Sequence, residues 1–105
     1  MISSVADEKN TIPDQFALFQ NYTNPFNPET KIKYQLAKPT KVWMTICDLH
    51  GLLIETLIDE WQPAGYYQLK WNAFDMSGNK VPSGLYVYRM ATENYVSIKK
   101  MILMK

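Results

Sequence analysis

The run Asn24-Pro25-Phe26-Asn27-Pro28, followed at once by Glu29-Thr30-Lys31-Ile32-Lys33-Tyr34-Gln35-Leu36, most narrows what this chain can fold into. Pro25 and Pro28 each fix φ, remove a backbone donor and bias the Asn before them toward an extended conformation. The chain therefore turns a rigid corner, and Phe26 is held in it as an apolar peg aimed back at the core. Directly after the corner, Ile32, Tyr34 and Leu36 alternate with Lys31, Lys33 and Gln35. That is the period of a strand with one buried face.

The same period recurs along the chain. Phe16, Leu18 and Tyr22 alternate weakly and predict a short first strand, with residues 1–14 as a linker or lead-in. Residues 41–48 place Val42, Met44 and Ile46 on one face and Trp43, Thr45 and Cys47 on the other. Asp48-Leu49-His50-Gly51 is a hairpin-type turn, with Gly51 at positive φ. In the next strand, Leu52 to Asp59, Ile54 and Leu57 cannot share a face. Burying both requires a bulge near Glu55 or Thr56. Residues 60–65 carry Pro63-Ala64-Gly65 and read as a loop. Tyr67, Leu69 and Trp71 alternate again, and residues 72–84 form the longest turn-rich segment. Leu85 to Ala91 and Tyr95 to Met104 complete the set. About seven short strands with no helical period predict an all-β, immunoglobulin-like antiparallel sandwich over residues 15–105.

Composition closes off several function classes. The chain has 105 residues, enough for one core without staples. Its formal net charge is +1 and no Lys/Arg stripe forms, so no nucleic-acid or acidic-membrane partner is expected. Cys47 is the single cysteine, so no disulfide forms within the chain. No window reaches the roughly 18 apolar residues of a spanning helix. Met1 to Asn10 lacks the basic start and apolar run of a secretory signal. Met1 is read as an expression start on an excised domain, with any signal of the parent protein upstream.

No catalytic constellation emerges, and the chain is expected not to be an enzyme. Cys47 and His50 are close in sequence, but a general base needs a positioned nucleophile, and His50 reads as a solvent-facing turn residue. One Cys and one His do not make a zinc site. Asn72, Asp75, Ser77 and Asn79 surround Gly78 with oxygens, but without the roughly twelve-residue spacing and final Glu of a dedicated calcium loop. They read as an Asx turn, and no cofactor or metal is expected. Trp43, Trp61 and Tyr66 offer a candidate sugar-stacking surface, against ordinary cross-strand packing.

An ordered set of motifs spans residues 16–105. After the corner come Asp48-Leu49-His50-Gly51, then Pro63-Ala64-Gly65, then Trp71-Asn72 with Asp75 and Ser77-Gly78. Pro82-Ser83-Gly84-Leu85-Tyr86 with Tyr88-Arg89 follows, then the tail Lys99-Lys100-Met101-Ile102-Leu103-Met104-Lys105. In order and spacing this set resembles the C-terminal sorting domains of bacterial type IX (Por) secretion cargo. It also resembles the related immunoglobulin-like domain of flagellar hook-capping proteins. The resemblance implies a sorting module covalently part of a larger parent protein that reaches the cell surface through the periplasm. It implies as partners an outer-membrane translocon, which would read the tail, and a sortase-like peptidase. It assigns structural roles to Asn24, Pro25, Phe26, Asn27, Pro28, Gly51, Trp71, Asp75, Gly78, Gly84 and Tyr86. A structural spacer or assembly domain, or a carbohydrate-binding accessory of a secreted hydrolase, are the alternatives. Two departures stand out. Tyr22-Thr23 replaces the family's Tyr-Pro, and Leu52-Leu53 replaces its charged residues. With Trp43, the two leucines form an apolar patch that favours a weak homodimer.

The tail carries a local conflict. Lys99 and Lys100 are adjacent, so one must face the core or bulge out of the strand. If the tail is an edge strand, its free backbone groups suit strand addition by a receptor.

Overall fold

The computed structural model describes residues 12–104, and among these there is no helix. Seven strands form two antiparallel sheets. The smaller sheet runs β1 (Ala17–Leu18), β2 (Thr30–Leu36), β5 (Gly65–Trp71); the larger runs β4 (Leu53–Gln62), β3 (Thr40–Asp48), β6 (Gly84–Ala91), β7 (Val96–Leu103). The sheets pack through the alternating residues that the sequence marks as inward. Ile32, Tyr34 and Leu36 meet Val42, Met44 and Ile46, with Tyr86, Tyr88, Met90, Met101 and Leu103 in the same core. The immunoglobulin-like sandwich is as expected, and β2 occupies the span read from its alternation.

Strand β4 corrects and sharpens the sequence reading. Met44 pairs with Ile58 but Thr45 with Thr56, and Ile46 pairs with Glu55 but Cys47 with Leu53. Leu57 and Ile54 are thus the extra residues of two bulges flanking Glu55-Thr56. Two bulges, not one, let both side chains pack against the core. Residues 60–62 are strand rather than loop. Thr40 at the start of β3 needs a ladder partner, and Gln62 supplies it. Gln62 is also buried, accepting a 2.6 Å hydrogen bond from the Tyr34 hydroxyl of the other sheet. The loop shrinks to Pro63-Ala64, where the chain passes from one sheet to the other.

The first strand is shorter than its alternation suggests. Leu18 is buried opposite Tyr34, but Tyr22 bridges Lys31, one residue out of that register. The slip turns Tyr22 outward, 73% exposed, instead of continuing the Phe16–Leu18 face.

Two buried tyrosines give the fold a pH signature. Burial raises the pKa of Tyr34 and Tyr88 from 10.0 to about 12. Both hydroxyls keep their protons longer in the folded chain than in the unfolded one. Their contribution to stability is complete below the unfolded pKa and is lost as pH rises through the folded value. In an ultraviolet phenolate titration of the seven tyrosines, these two should ionise last, with stability falling between about pH 10 and 12. Ionisation of all seven around one midpoint near 10 in a still-folded chain would contradict this packing.

Candidate functional site

The corner and the tail, far apart in sequence, are one structural unit. The chain leaves the smaller sheet after β1 and crosses to the free edge of β7. Tyr22 is the last residue joined to β2 by backbone hydrogen bonds, exchanging bonds of 2.9 and 2.7 Å with Lys31. Phe26 then forms a parallel bridge to Leu103. Its N–H donates to the Ile102 carbonyl, and its own carbonyl accepts from the Met104 N–H, both at 2.9 Å. The Asn24 side-chain oxygen accepts the Ile102 N–H at 2.9 Å, and the Gln20 amide donates to the Lys100 carbonyl at 2.6 Å. Residues 20–26 are therefore a strap along the second half of β7. Pro25 suits this course because it withdraws an N–H that would otherwise need a partner.

A polar clamp holds the strap from behind. Asn21 is buried, and its amide donates to the Thr23 carbonyl and the Thr30 hydroxyl oxygen, each at 2.9 Å. The Thr30 hydroxyl donates to the same Thr23 carbonyl. The buried polar groups are thus paired with each other, which avoids the desolvation cost of leaving one orphaned.

In front of the strap, the motif aromatics converge. The Phe26 ring, 1% exposed, lies 5.8 Å from that of Trp71, which packs edge-on against Tyr86 at 5.6 Å. The Trp71 indole donates to the Phe74 carbonyl, and the Tyr86 hydroxyl to that of Pro82. Three motifs from three parts of the sequence are one cluster under Met101 and Leu103. Beside it, Asn27, Pro28, Ala73, Phe74, Val81 and Leu103 line a largely apolar cleft of about 380 Å³.

The turns at Asp48 and Asp75 use the same device. Asp48 Oδ1 accepts the N–H of His50 and Leu52; Asp75 Oδ1 accepts those of Ser77 and Asn79. Gly51 and Gly78 both have positive φ, at 84° and 86°, and their N–H groups bond to the carbonyls of Asp48 and Asp75. This explains each Asp-x-x-Gly as an Asx turn. Gly84 opens β6.

Other candidates are not brought together. Cys47 is half-buried on the outer face of β3, and His50 sits exposed at the turn tip; no hydrogen bond joins them among the described residues. Trp43 and Trp61 lie on the outer face of the larger sheet, with the Lys41–Asp59 ion pair between them at 3.2 Å. Tyr66 is on the outer face of the smaller sheet, so these aromatics do not form one platform. Leu53 shares the outer face with Trp43 but a Thr45–Thr56 row separates them.

The tail resolves its conflict without a bulge. β7 stays in unbroken register with β6, Lys99 turning inward to a half-buried position and Lys100 outward. An inward charge on an edge strand discourages unwanted pairing. The edge is not free over its whole length, as the sequence reading expects, because the strap fills its second half. Lys105 lies outside the described residues, as do residues 1–11 of the lead-in.

This geometry sits inside a recognised sequence family. A model of the FlgD Ig-like domain matches residues 21–95. The chain belongs to the FlgD Ig-like domain family. Two solved structures share the fold. One is dimeric latent PorU from Porphyromonas gingivalis, at TM-score 0.67 and 17% identity, covering 98% of this chain and 10% of that one. The other is PorZ, a surface component of the type IX secretion system of the same organism. It matches at TM-score 0.56 and 19% identity, covering 88% of this chain and 12% of that one. The FlgD Ig-like domain described here thus spans about a tenth of each. A comparison with curated proteins finds no match.

The strap's signal, an Asn two residues before a peg Phe, is present in the sequence, but its target 78 residues away is not. Phe26→Ala should cost about 3–5 kcal/mol in chemical denaturation, because it empties the aromatic cluster. Asn24→Ala should cost about 0.5–1.5 kcal/mol, the net worth of one hydrogen bond. A Phe26→Ala loss below about 1 kcal/mol would refute the peg role.

Proposed function

We propose that this FlgD Ig-like domain is a non-catalytic sorting module that directs a larger parent protein across the outer membrane through a type IX translocon. A sortase-like peptidase then acts on the delivered cargo at the cell surface. The observation that carries the reading is how the tail is presented. Strand β7 is held in register, with Lys100 and Ile102 exposed along it, Met104 exposed just past its end and the apolar cleft beside Leu103. A receptor would thus find cationic and apolar side chains on a rigid support, a form that depends on the strap and so on the folded domain. The shared fold with domains of PorU and PorZ supports the same setting.

The rival is a structural spacer or assembly domain in the manner of hook-capping proteins, and the family match favours it equally. The parent sequence separates the two, since an upstream signal peptide and extracellular catalytic domain accord with sorting and a flagellar gene neighbourhood with assembly.

The functional test fuses residues 15–105 to a periplasmically exported reporter in a type IX-competent bacterium. The intact fusion should reach the surface. Deleting residues 99–105 would also remove the strap's partners, so the informative variant is Lys100→Ser with Ile102→Ser, both exposed in β7. It should leave the melting temperature of the isolated domain nearly unchanged and strand the reporter in the periplasm. Surface export that is indifferent to the whole domain would remove the sorting reading and leave the spacer.

A further inference from the structure

The two sheets have four edge strands, and three of them are visibly protected. β1 is two residues long. β4 carries two bulges, and the Met76 N–H occupies its Ile54 carbonyl. β7 is covered over its second half by the strap and carries the inward Lys99 in its first half. Short edges, bulges, coverings and inward charges are the devices by which proteins block edge pairing. Of the known devices β5 has only an edge lysine, the exposed Lys70. It is seven residues long, keeps unbroken register with β2, contains no proline, and pairs with nothing on its other side among the described residues.

The sequence of β5, Gly65-Tyr66-Tyr67-Gln68-Leu69-Lys70-Trp71, is complementary to itself when reversed. We infer that the β5 edge is the interface for a second copy of this chain, pairing antiparallel about a two-fold axis at Gln68. In that register Lys70 faces Tyr66 of the second copy and the reverse, while Gln68 faces Gln68. Leu69 faces Tyr67 on the inner side. Each copy brings the same patch, as a two-fold interface requires.

The outer row matches charge to ring. Lys31 and Lys70 lie directly opposite each other in the β2–β5 ladder, and like charges in that position are destabilising. No carboxylate among the described residues forms an ion pair with either. Placing the exposed Tyr66 ring of the second copy beside Lys70 gives that ammonium a cation–π partner. The inner row covers Tyr67 and Leu69, which pack on the core but remain half-exposed. Sliding the second copy two residues in either direction loses the Lys–Tyr pairs, and two residues more set Lys70 against Lys70 one way and Tyr66 against Tyr66 the other. The register centred on Gln68 also pairs all seven residues. The product is a continuous six-stranded sheet, β1-β2-β5 joined to its own copy, which leaves the tail and strap of each copy uncovered. It differs from a dimer through Trp43, Leu52 and Leu53, which sit on the larger sheet or its turn.

The test uses charge exchange at the two-fold position of the full chain. Gln68 is exposed, so Gln68→Lys and Gln68→Glu should both fold with wild-type circular dichroism. Sedimentation of the wild type should show a monomer–dimer equilibrium. Each variant alone sets like charges in direct opposition and should dimerise more weakly, by roughly fivefold. An equimolar mixture of the two should recover the lost association as a heterodimer. As a second readout in a Cys47→Ser background, Gln68→Cys should form an intermolecular disulfide on mild oxidation. Tyr66→Cys should not, because its equivalent lies about 13 Å away along the strand. A wild type that stays monomeric at every concentration overturns the inference, as does a dimer indifferent to both charges or a Tyr66→Cys crosslink as efficient as Gln68→Cys. Either of the last two results would direct the interface to the outer face of the larger sheet or to another partner.

Discussion

Two backbone hydrogen bonds at Phe26 hold this domain's two ends in one piece. Through them the corner becomes a parallel addition to β7, and the segment from Ala17 to Phe26 belongs to both sheets at once. Everything near them is shaped by that requirement. Pro25 removes a competing donor, and Asn24 supplies an acceptor the main chain could not place. The buried Asn21–Thr30 pair fixes the angle at which the strap leaves β2. The Phe26 ring then anchors the strap by burial, which backbone bonds on a solvent-facing edge would not achieve alone.

The strands were legible in the sequence wherever one face is buried. β2 shows this best, since slipping its register by one would exchange Ile32, Tyr34 and Leu36 for Lys31, Lys33 and Gln35. The clash between Ile54 and Leu57 likewise announced irregularity in β4, although one conflict concealed two bulges. What periodicity could not show is contact between distant segments. Phe26 reads as a buried peg, but its neighbours Trp71, Tyr86 and Leu103 belong to strands from both sheets. The continuation of β4 to Gln62 was hidden for a related reason. Its solvent-exposed Glu60 and Trp61 look like loop residues, and only the pairing with β3 and the buried bond from Tyr34 reveal that the strand persists.

The candidate site was half legible. Motif order pointed to the corner and the tail as separate landmarks with structural and recognition roles. The structure makes them interdependent, because the tail's second half is satisfied by the corner before any receptor arrives. Recognition by simple strand addition would have to use the first half of β7 or displace the strap. Recognition through the exposed side chains of Lys100, Ile102 and Met104 needs neither, and it makes a correctly closed domain a precondition for being read. That coupling between folding and presentation follows from the hydrogen bonds, and it suits an export signal and a structural spacer to different degrees. A spacer needs the closure but not the exposed tail chemistry.

Amide hydrogen exchange at Phe26, Ile102 and Met104 measures the strap directly. If the corner closes the sandwich, these three amides exchange only in the global unfolding reaction, together with the β6–β7 ladder, although Ile102 on β7 and Met104 just beyond it are solvent-exposed. Exchange of the three at near-unprotected rates in a chain whose β6–β7 ladder remains protected would mean that the strap frays independently, and the corner would then not be what holds the tail.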